Sequence, residues 1–231
     1  MKLVLASKNP KKLKEMREIL SHLGVEVCMQ SDVGVDVDVE ETGTTFEENS
    51  LLKAKAVMEA SGLPAIADDS GLCVDALGGA PGVYSARYGG PGLDDEGRYR
   101  LLLENMRGQP RAAKFVSVIT CCFPNGDVLT TRGECPGTIA FAPMGEGGFG
   151  YDPVFFIPSL KKTFAQLTPE EKNAISHRGK ALEKFQAELK SYLSQSIFME
   201  GGARVLRNVR ICPTVTSGCA AGRVGRRRPS E

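Results

Sequence analysis

Two adjacent carboxylates, Asp68 and Asp69, close the apolar run in LPAIADDSG, and a second pair, Glu40 and Glu41, stands in a polar stretch upstream. Clustered carboxylate oxygens suit a hard cation such as Mg²⁺ on a polyphosphate, and one of them can activate water. For any one of these acids, an exposed turn is the better account. The segment ASKNPKK, residues 6–12, changes the balance. Asn9 and Pro10 predict a helix start there. Lys8, Lys11, Lys12 and Lys14 crowd that end, where the helix dipole is already positive and acids are normally favoured. Such crowding costs stability unless an anion arrives, and backbone N–H groups at a helix start already favour one. A nucleotide's phosphates fit, although the glycines and the G-K-[ST] ending of the common phosphate loop are missing. Lys14, further along the helix, reads as part of a solvated face.

Two further segments carry usable chemistry. In GEGGFGYDPVF, Phe149 lies between glycines, followed by Gly150, Tyr151 and Asp152. Its ring either packs into a core or stacks on a base, since glycine lets backbone approach a ligand. In KNAISHRGK, Lys172, His177 and Arg178 gather near a break between helical segments. Their donors can meet a carbonyl on a base edge. A charged helix surface is the plainer account of Lys180 than of His177, one of only two histidines.

These residues need elements to hold them. Alternation predicts strands over 2–6 and 25–30, with a helix over 10–22 between them that buries Leu13, Met16, Ile19 and Leu20. Residues 31–45 read as a loop and 44–62 as a helix with a threonine cap, Glu47 and Glu48 in its first turn, and Gly62 at its end. Residues 63–71 read as a buried strand running into a turn, which sets Asp68 and Asp69 at a strand's carboxyl end, where open α/β sheets build sites. A Gly- and Pro-rich loop spans 78–97, and a helix follows near 94–106. Residues 114–135 form a hairpin about Asn125-Gly126, and 137–143 continue the sheet. Thr168 caps a helix over 167–175, and 176–194 restarts or continues it. Alternating helices and strands with one antiparallel hairpin give an α/β class with a mixed sheet.

The 231 residues are 42% hydrophobic and 25% charged, enough for one sizeable domain. The net charge of +1 hides an asymmetry, because residues 198–231 hold seven Arg, no Lys and two acids. That stretch has no apolar period and reads as a disordered basic tail after a domain over 1–197. The rest holds 22 Lys and Arg against 26 Asp and Glu, without the basic excess of a nucleic-acid binder. No stretch is long and apolar enough for a membrane span, and MKLVLASK is too short for a signal peptide. Seven cysteines without a C-x-x-C read as reduced thiols of a cytoplasmic protein.

In order along the chain, ASKNPKK, EETGTTFEENSLLKA, PAIADDSGLCVDALGGAPGVYSARY, GGFGYDPVFF and LTPEEKNAISHRGKAL resemble the inosine triphosphate pyrophosphatase family, the XTP/dITP diphosphatases. The resemblance covers roughly residues 1–195. It implies a metal-dependent hydrolase that converts ITP, dITP or XTP to the monophosphate and pyrophosphate by water attack at the α-phosphorus. It also implies an elongated two-lobed α/β body around a twisted mixed sheet, an active site in the cleft between lobes, and a homodimer. Carried over by position, Ser7, Lys8, Asn9, Pro10, Lys11 and Lys12 hold phosphates, and Ser70 touches substrate. Glu40 and Asp69 bind Mg²⁺, with Asp69 also the proton acceptor. Phe149, Gly150, Tyr151 and Asp152 flank the nucleoside, and Lys172, His177 and Arg178 complete the base pocket. A Maf-type nucleotide pyrophosphatase and a nucleotide sensor without turnover are the rival readings. SHRG and GGFGYD speak against the first, and the intact acids against the second.

Overall fold

The computed structural model describes residues 1–199. The tail expected from 198 onward lies outside the described residues from 200. The first strands and helices alternate: β1 (Lys2–Leu5), α1 (Pro10–Leu20), β2 (Glu26–Met29), α2 (Phe46–Ser61) and β3 (Ala65–Val74). Next come α3 (Asp95–Asn105), the long hairpin β4 (Ala112–Cys122) and β5 (Val128–Ile139), and the short β6 (Phe155–Ile157) and β7 (Lys162–Thr163). Two helices, α4 (Pro169–Ile175) and α5 (His177–Met199), complete the described chain. The seven strands form one mixed sheet in the order β2-β1-β3-β4-β5-β6-β7. β1 runs parallel to β2 and β3, and every later pairing is antiparallel.

The helix starts form where the residue types place them. Asn9 Oδ1 accepts from the Lys11 and Lys12 amides, Pro10 opens α1, and no acid stands in its first turn. Thr45 and Glu48 make a reciprocal capping box on α2, and Thr168 and Glu171 do the same on α4.

Three expected features are corrected. β3 does not stop after the two aspartates but continues to Val74, because β4 pairs with it residue for residue from Ala65 to Val74. Residues 137–139 continue the sheet as the end of β5, but 140–143 leave it. The loop over 31–45 begins with a short 3-10 turn, Gln30–Val33.

Most of the apolar side chains gather at the two ends of the long strands. One group joins Leu3, Leu5, Met16 and Leu20 to Ile66, Ile119, Leu182 and Phe185. The other joins Leu72, Val74, Leu102 and Met106 to Phe115, Phe155 and Phe164. β3 gives Ile66 to the first and Leu72 to the second, with Asp68, Asp69 and Ser70 between them. The polar residues of the strand thus fall where neither core closes over the sheet. The chain leaves β1 toward β2 through α1 and returns through α2 to β3 on β1's other side. The ends of β1 and β3 therefore flank a topological switch point, the usual ligand crevice of an open α/β sheet.

Before Thr138, where β6 joins it, β5 has a strand partner on one side only, and its outer edge is covered by α5. Thr131 Oγ1 donates to the Ala181 carbonyl at 2.8 Å. Lys180 and Lys184 donate to the Glu134 and Arg132 carbonyls at 3.0 and 2.7 Å, which blunts the edge against further pairing.

Candidate active site

Successive strand residues face opposite sides of a sheet, and this separates the two aspartates. Asp68 faces α1 and α5. Its Oδ1 accepts from Ser117 Oγ at 2.7 Å, and its Oδ2 from Ser70 Oγ and Arg178 Nη2, both at 2.9 Å. Lys12 Nζ stands 2.9 Å from the same Oδ2. Burial alone would raise this carboxyl, yet Arg178 and Lys12 hold it well below the usual carboxylate range. Burial lowers Lys12, with Lys53 and Arg178 adding to the effect, although Asp68 opposes it.

Asp69 faces α2. Lys53 Nζ, carried by α2, reaches Asp69 Oδ1 at 2.6 Å and Glu41 Oε1 at 2.8 Å. Arg87 Nη1 holds Glu41 Oε2 at 2.8 Å. Burial pushes Asp69 above the usual carboxylate range, with Lys53 partly offsetting it. Glu41 is held low against its burial by Lys53 and Arg87. Lys53 is raised, because Asp69 and Glu41 outweigh its burial. The chain also frees a backbone acceptor here. β1 ends at Leu5, so β3 has no neighbour beyond Ile66 on that edge, and the Asp68 carbonyl accepts from Lys12 and Lys53 at 3.3 and 3.2 Å.

On the Asp68 side lies a cavity of about 460 Å³. Ser7, Asn9, Pro10, Lys11 and Lys12 line it, with Ser70. Phe149, Gly150, Tyr151, Asp152, Lys172, His177 and Arg178 line it as well, alongside Asp95, Arg98 and Phe115. A smaller cavity of about 240 Å³ adjoins it, sharing Ser7 and Lys12 and adding Lys8, Asp38, Glu41 and Lys53. Lys8 belongs to this second space alone and pairs with Asp36 at 2.9 Å.

The far end of the larger cavity is a buried charge network. Glu15 on α1 accepts from Lys172 at 3.3 Å and from Arg178 Nη1, and Lys172 also reaches Asp152 Oδ2 at 2.8 Å. Burial raises Asp152, although Lys172 opposes it. The Phe149 ring meets three cations, with Lys172 at 4.9 Å and Lys11 and Arg178 at 5.6 Å from its centre. His177 is 4% exposed and stacks on Phe115 at 4.6 Å, with its Nδ1 buried and unpartnered. Burial and the nearby Arg178 hold its pKa well below the ordinary value, so the ring is neutral. His177 and Arg178 stand where α4 ends and α5 begins, with Ser176 extended between them.

The residues fit a divalent cation in one respect. Asp69 Oδ2 is buried without a partner, beside the Glu41 carboxylate that shares Lys53. Among the described residues no three His, Cys, Asp or Glu side chains converge as a cage. Two carboxylates completed by phosphate oxygens and water match the way Mg²⁺ is held at nucleotides.

A family model described as the Ham1 family matches residues 3–188. The chain belongs to the Ham1 family. A dITP/XTP pyrophosphatase of Exiguobacterium is 51% identical to this Ham1 chain over 190 residues, 82% of this chain and 97% of that one. One from Thermus thermophilus is 53% identical over 185 residues, 79% of this chain and 88% of its own. The solved structure of a HAM1 protein from Coxiella burnetii superposes with a TM-score of 0.77 at 45% identity, covering 83% of this chain and 99% of that one.

Of the residues expected at the site, the structure of this Ham1 protein brings all but Glu40 to one of the two cavities or, for Asp69, to the Lys53 cluster. Glu40 is exposed, and the carboxylate placed beside Asp69 is Glu41. Lys53, Glu15 and Ser117 were not expected. Lys53 and Glu15 sit on helices where a charged residue reads as solvated, and only docking against β3 and α5 shows otherwise. Ser117 is a neutral residue inside a strand, and no sequence signal marks it.

Proposed function

We propose that this Ham1 protein hydrolyses deaminated purine nucleoside triphosphates, dITP, ITP and XTP, to the monophosphate and pyrophosphate. The observation that carries this reading is the joining of two compartments at Lys12. One is a nucleoside-sized cavity rich in buried donors, and the other is a smaller space walled by Lys8, Lys12 and Lys53. The relatives named dITP/XTP pyrophosphatase support the substrate class. A triphosphate running from the first space into the second sets its α–β bond near Lys12, between the two aspartates.

Asp69 takes a proton from the attacking water as its oxygen bonds to the α-phosphorus. The bond to the bridging oxygen breaks, and pyrophosphate leaves with that electron pair. The raised carboxyl of Asp69 suits a proton acceptor better than an ordinary aspartate does. Lys12 and Lys53 bring positive charge to the phosphates, where it stabilises the transition state in a site shielded from water. Mg²⁺, the proposed cofactor, would be held by Asp69 with Glu41 or Glu40, and when bound it polarises phosphate oxygens and screens their charge. Asp68 keeps Arg178 and Lys12 in place across the sheet from Asp69.

At the nucleoside end, Lys172, Arg178 and the neutral His177 face a 6-keto oxygen, while Phe149 stacks on the ring. Adenine's amino group sets a donor against these donors in place of an acceptor, and a site built that way discriminates strongly. We also propose a homodimer in the cytoplasm, as the resemblance to the family implies. Among the described residues the five cysteines are free, which agrees with a reducing compartment, and no helix there is long and apolar enough to cross a membrane.

Incubation with Mg²⁺ and, separately, dITP, XTP, dGTP, dATP and dTTP tests the reading. Monophosphate and pyrophosphate, formed fastest from dITP and XTP, are expected. Orthophosphate and a diphosphate product would mean attack at the γ-phosphorus and would overturn it.

A further inference from the structure

The segment Gly148-Phe149-Gly150 carries the ring expected to meet the base, and three different groups hold its three residues. Lys11 Nζ on α1 donates to the Gly148 carbonyl at 3.1 Å. The Phe149 amide donates to Asp152 Oδ2 at 2.9 Å, and Lys172 holds that same oxygen. The Gly150 amide donates to Asp95 Oδ2 at 2.8 Å. Asp95 belongs to none of the motifs that carry the phosphate or base chemistry. It opens α3, whose Leu102, with Met106 just beyond its end, is buried in the apolar group at the far end of β3. Its remaining partner is Arg98, at 3.4 Å from Oδ1, and both side chains line the larger cavity.

A glycine-rich segment has little side-chain packing to fix it, so a backbone tether at Gly150 governs where the neighbouring ring rests. Gly150 has a positive φ of 62°, which turns the chain sharply just after Phe149. We infer that Asp95 is a positioning residue for the nucleoside end of the site, holding the Phe149 ring in register with Lys172 and Arg178 by its bond to the Gly150 amide. The inference rests on the nucleotide reading above. Asp95 does not serve the phosphates, since those meet Lys12 and Lys53 at the other end. α3 itself does not depend on Asp95, because Asp94 is the N-cap and accepts from the Gly97 amide at 2.8 Å.

Asp95→Ala and Asp95→Asn separate this role from its rivals, because asparagine keeps an acceptor for the Gly150 amide and loses the charge facing Arg98. Three quantities are measured for both variants and the wild type: KM and kcat with dITP, inhibition by inorganic tripolyphosphate, and hydrogen exchange of the peptide covering 145–152 in the ligand-free protein. In Asp95→Ala, exchange quickens and KM rises about three- to tenfold, the loss expected for one hydrogen bond. Its kcat and its tripolyphosphate inhibition stay at wild-type values, and Asp95→Asn recovers most of the KM. Unchanged exchange, an equal weakening toward dITP and tripolyphosphate, or no recovery in Asp95→Asn would overturn the inference. A wild-type protein without turnover of dITP would strike down the proposed activity alone, because the exchange measurement reads the tether without any substrate.

Discussion

Asp68 and Asp69 are chemically identical neighbours, and the face of β3 that each occupies gives them different work. Asp68 is saturated with partners and holds cations, while Asp69 keeps one buried oxygen unpaired. Asp69→Asn is expected to lower kcat by at least about a hundredfold, the usual scale for losing a general base, with an unchanged thermal transition. Comparing Glu41→Gln with Glu40→Gln checks which acid serves beside Asp69. Glu41→Gln is expected to raise the Mg²⁺ concentration needed for half-maximal rate, and Glu40→Gln to leave it nearly unchanged; the reverse would return the role to Glu40. His177 supplies a pH signature. Burial, with Arg178, depresses its pKa in the folded state, so below about pH 6.5 the unfolded chain binds a proton that the folded one refuses. Its contribution is therefore present above that pH and is lost as the pH falls. His177→Gln is expected to flatten the fall in Tm between pH 7 and pH 5, measured by thermal unfolding across that range.

At the scale of elements, α5 brings His177 and Arg178 to the site only because it packs tightly on β5. A β-carbon at Gly133 would overlap the His177 carbonyl oxygen and the Ala181 amide, backbone atoms that cannot turn aside as a side chain can. Gly133→Ala is expected to destabilise the protein by about 1–3 kcal/mol, the usual cost of overpacking. It should lower activity as well, because α5 must lift at the residues that carry the proposed base pocket. Unfolding midpoints in urea, paired with dITP turnover, check both effects. A variant as stable as the wild type would show that α5 has room to shift. The outer edge of β5 adds a second constraint on α5, since Lys180 and Lys184 cap its carbonyls.

For the whole molecule, the two main apolar groups and the polar interval between them explain why the site sits where it does. Long strands cross from one core to the other, and the residues at the crossing are covered by neither. The residues assigned to chemistry run from Ser7 to Arg178, and the Ham1 match ends at residue 188. Removing residues 200–231 is therefore expected to keep kcat/KM within about twofold of the full chain, as for a terminus that supplies no site group. A larger loss in that assay would show that the arginine-rich stretch acts on the site.

Local chemistry determined much by itself. The Asn9-Pro10 start of α1, the capping boxes of α2 and α4, the Asn125-Gly126 hairpin and the mixed sheet follow from short-range propensity and periodicity, which act within a few residues. The lysines crowding α1 likewise pointed to the cavity wall that Lys11 and Lys12 line, without any knowledge of the fold. Tertiary structure decided the rest. Whether β3 stopped after Asp69 depended on a partner strand about fifty residues away, and pairing with β4 carried it on to Val74. Whether Glu40 or Glu41 met Asp69 depended on how α2 and Arg87 converge, since neighbouring residues of an extended chain point apart. Lys53 and Glu15 look like solvated helix charges until docking buries them against opposite charge. A residue's type limits the chemistry it can do, and long-range packing selects which residues of that type do it.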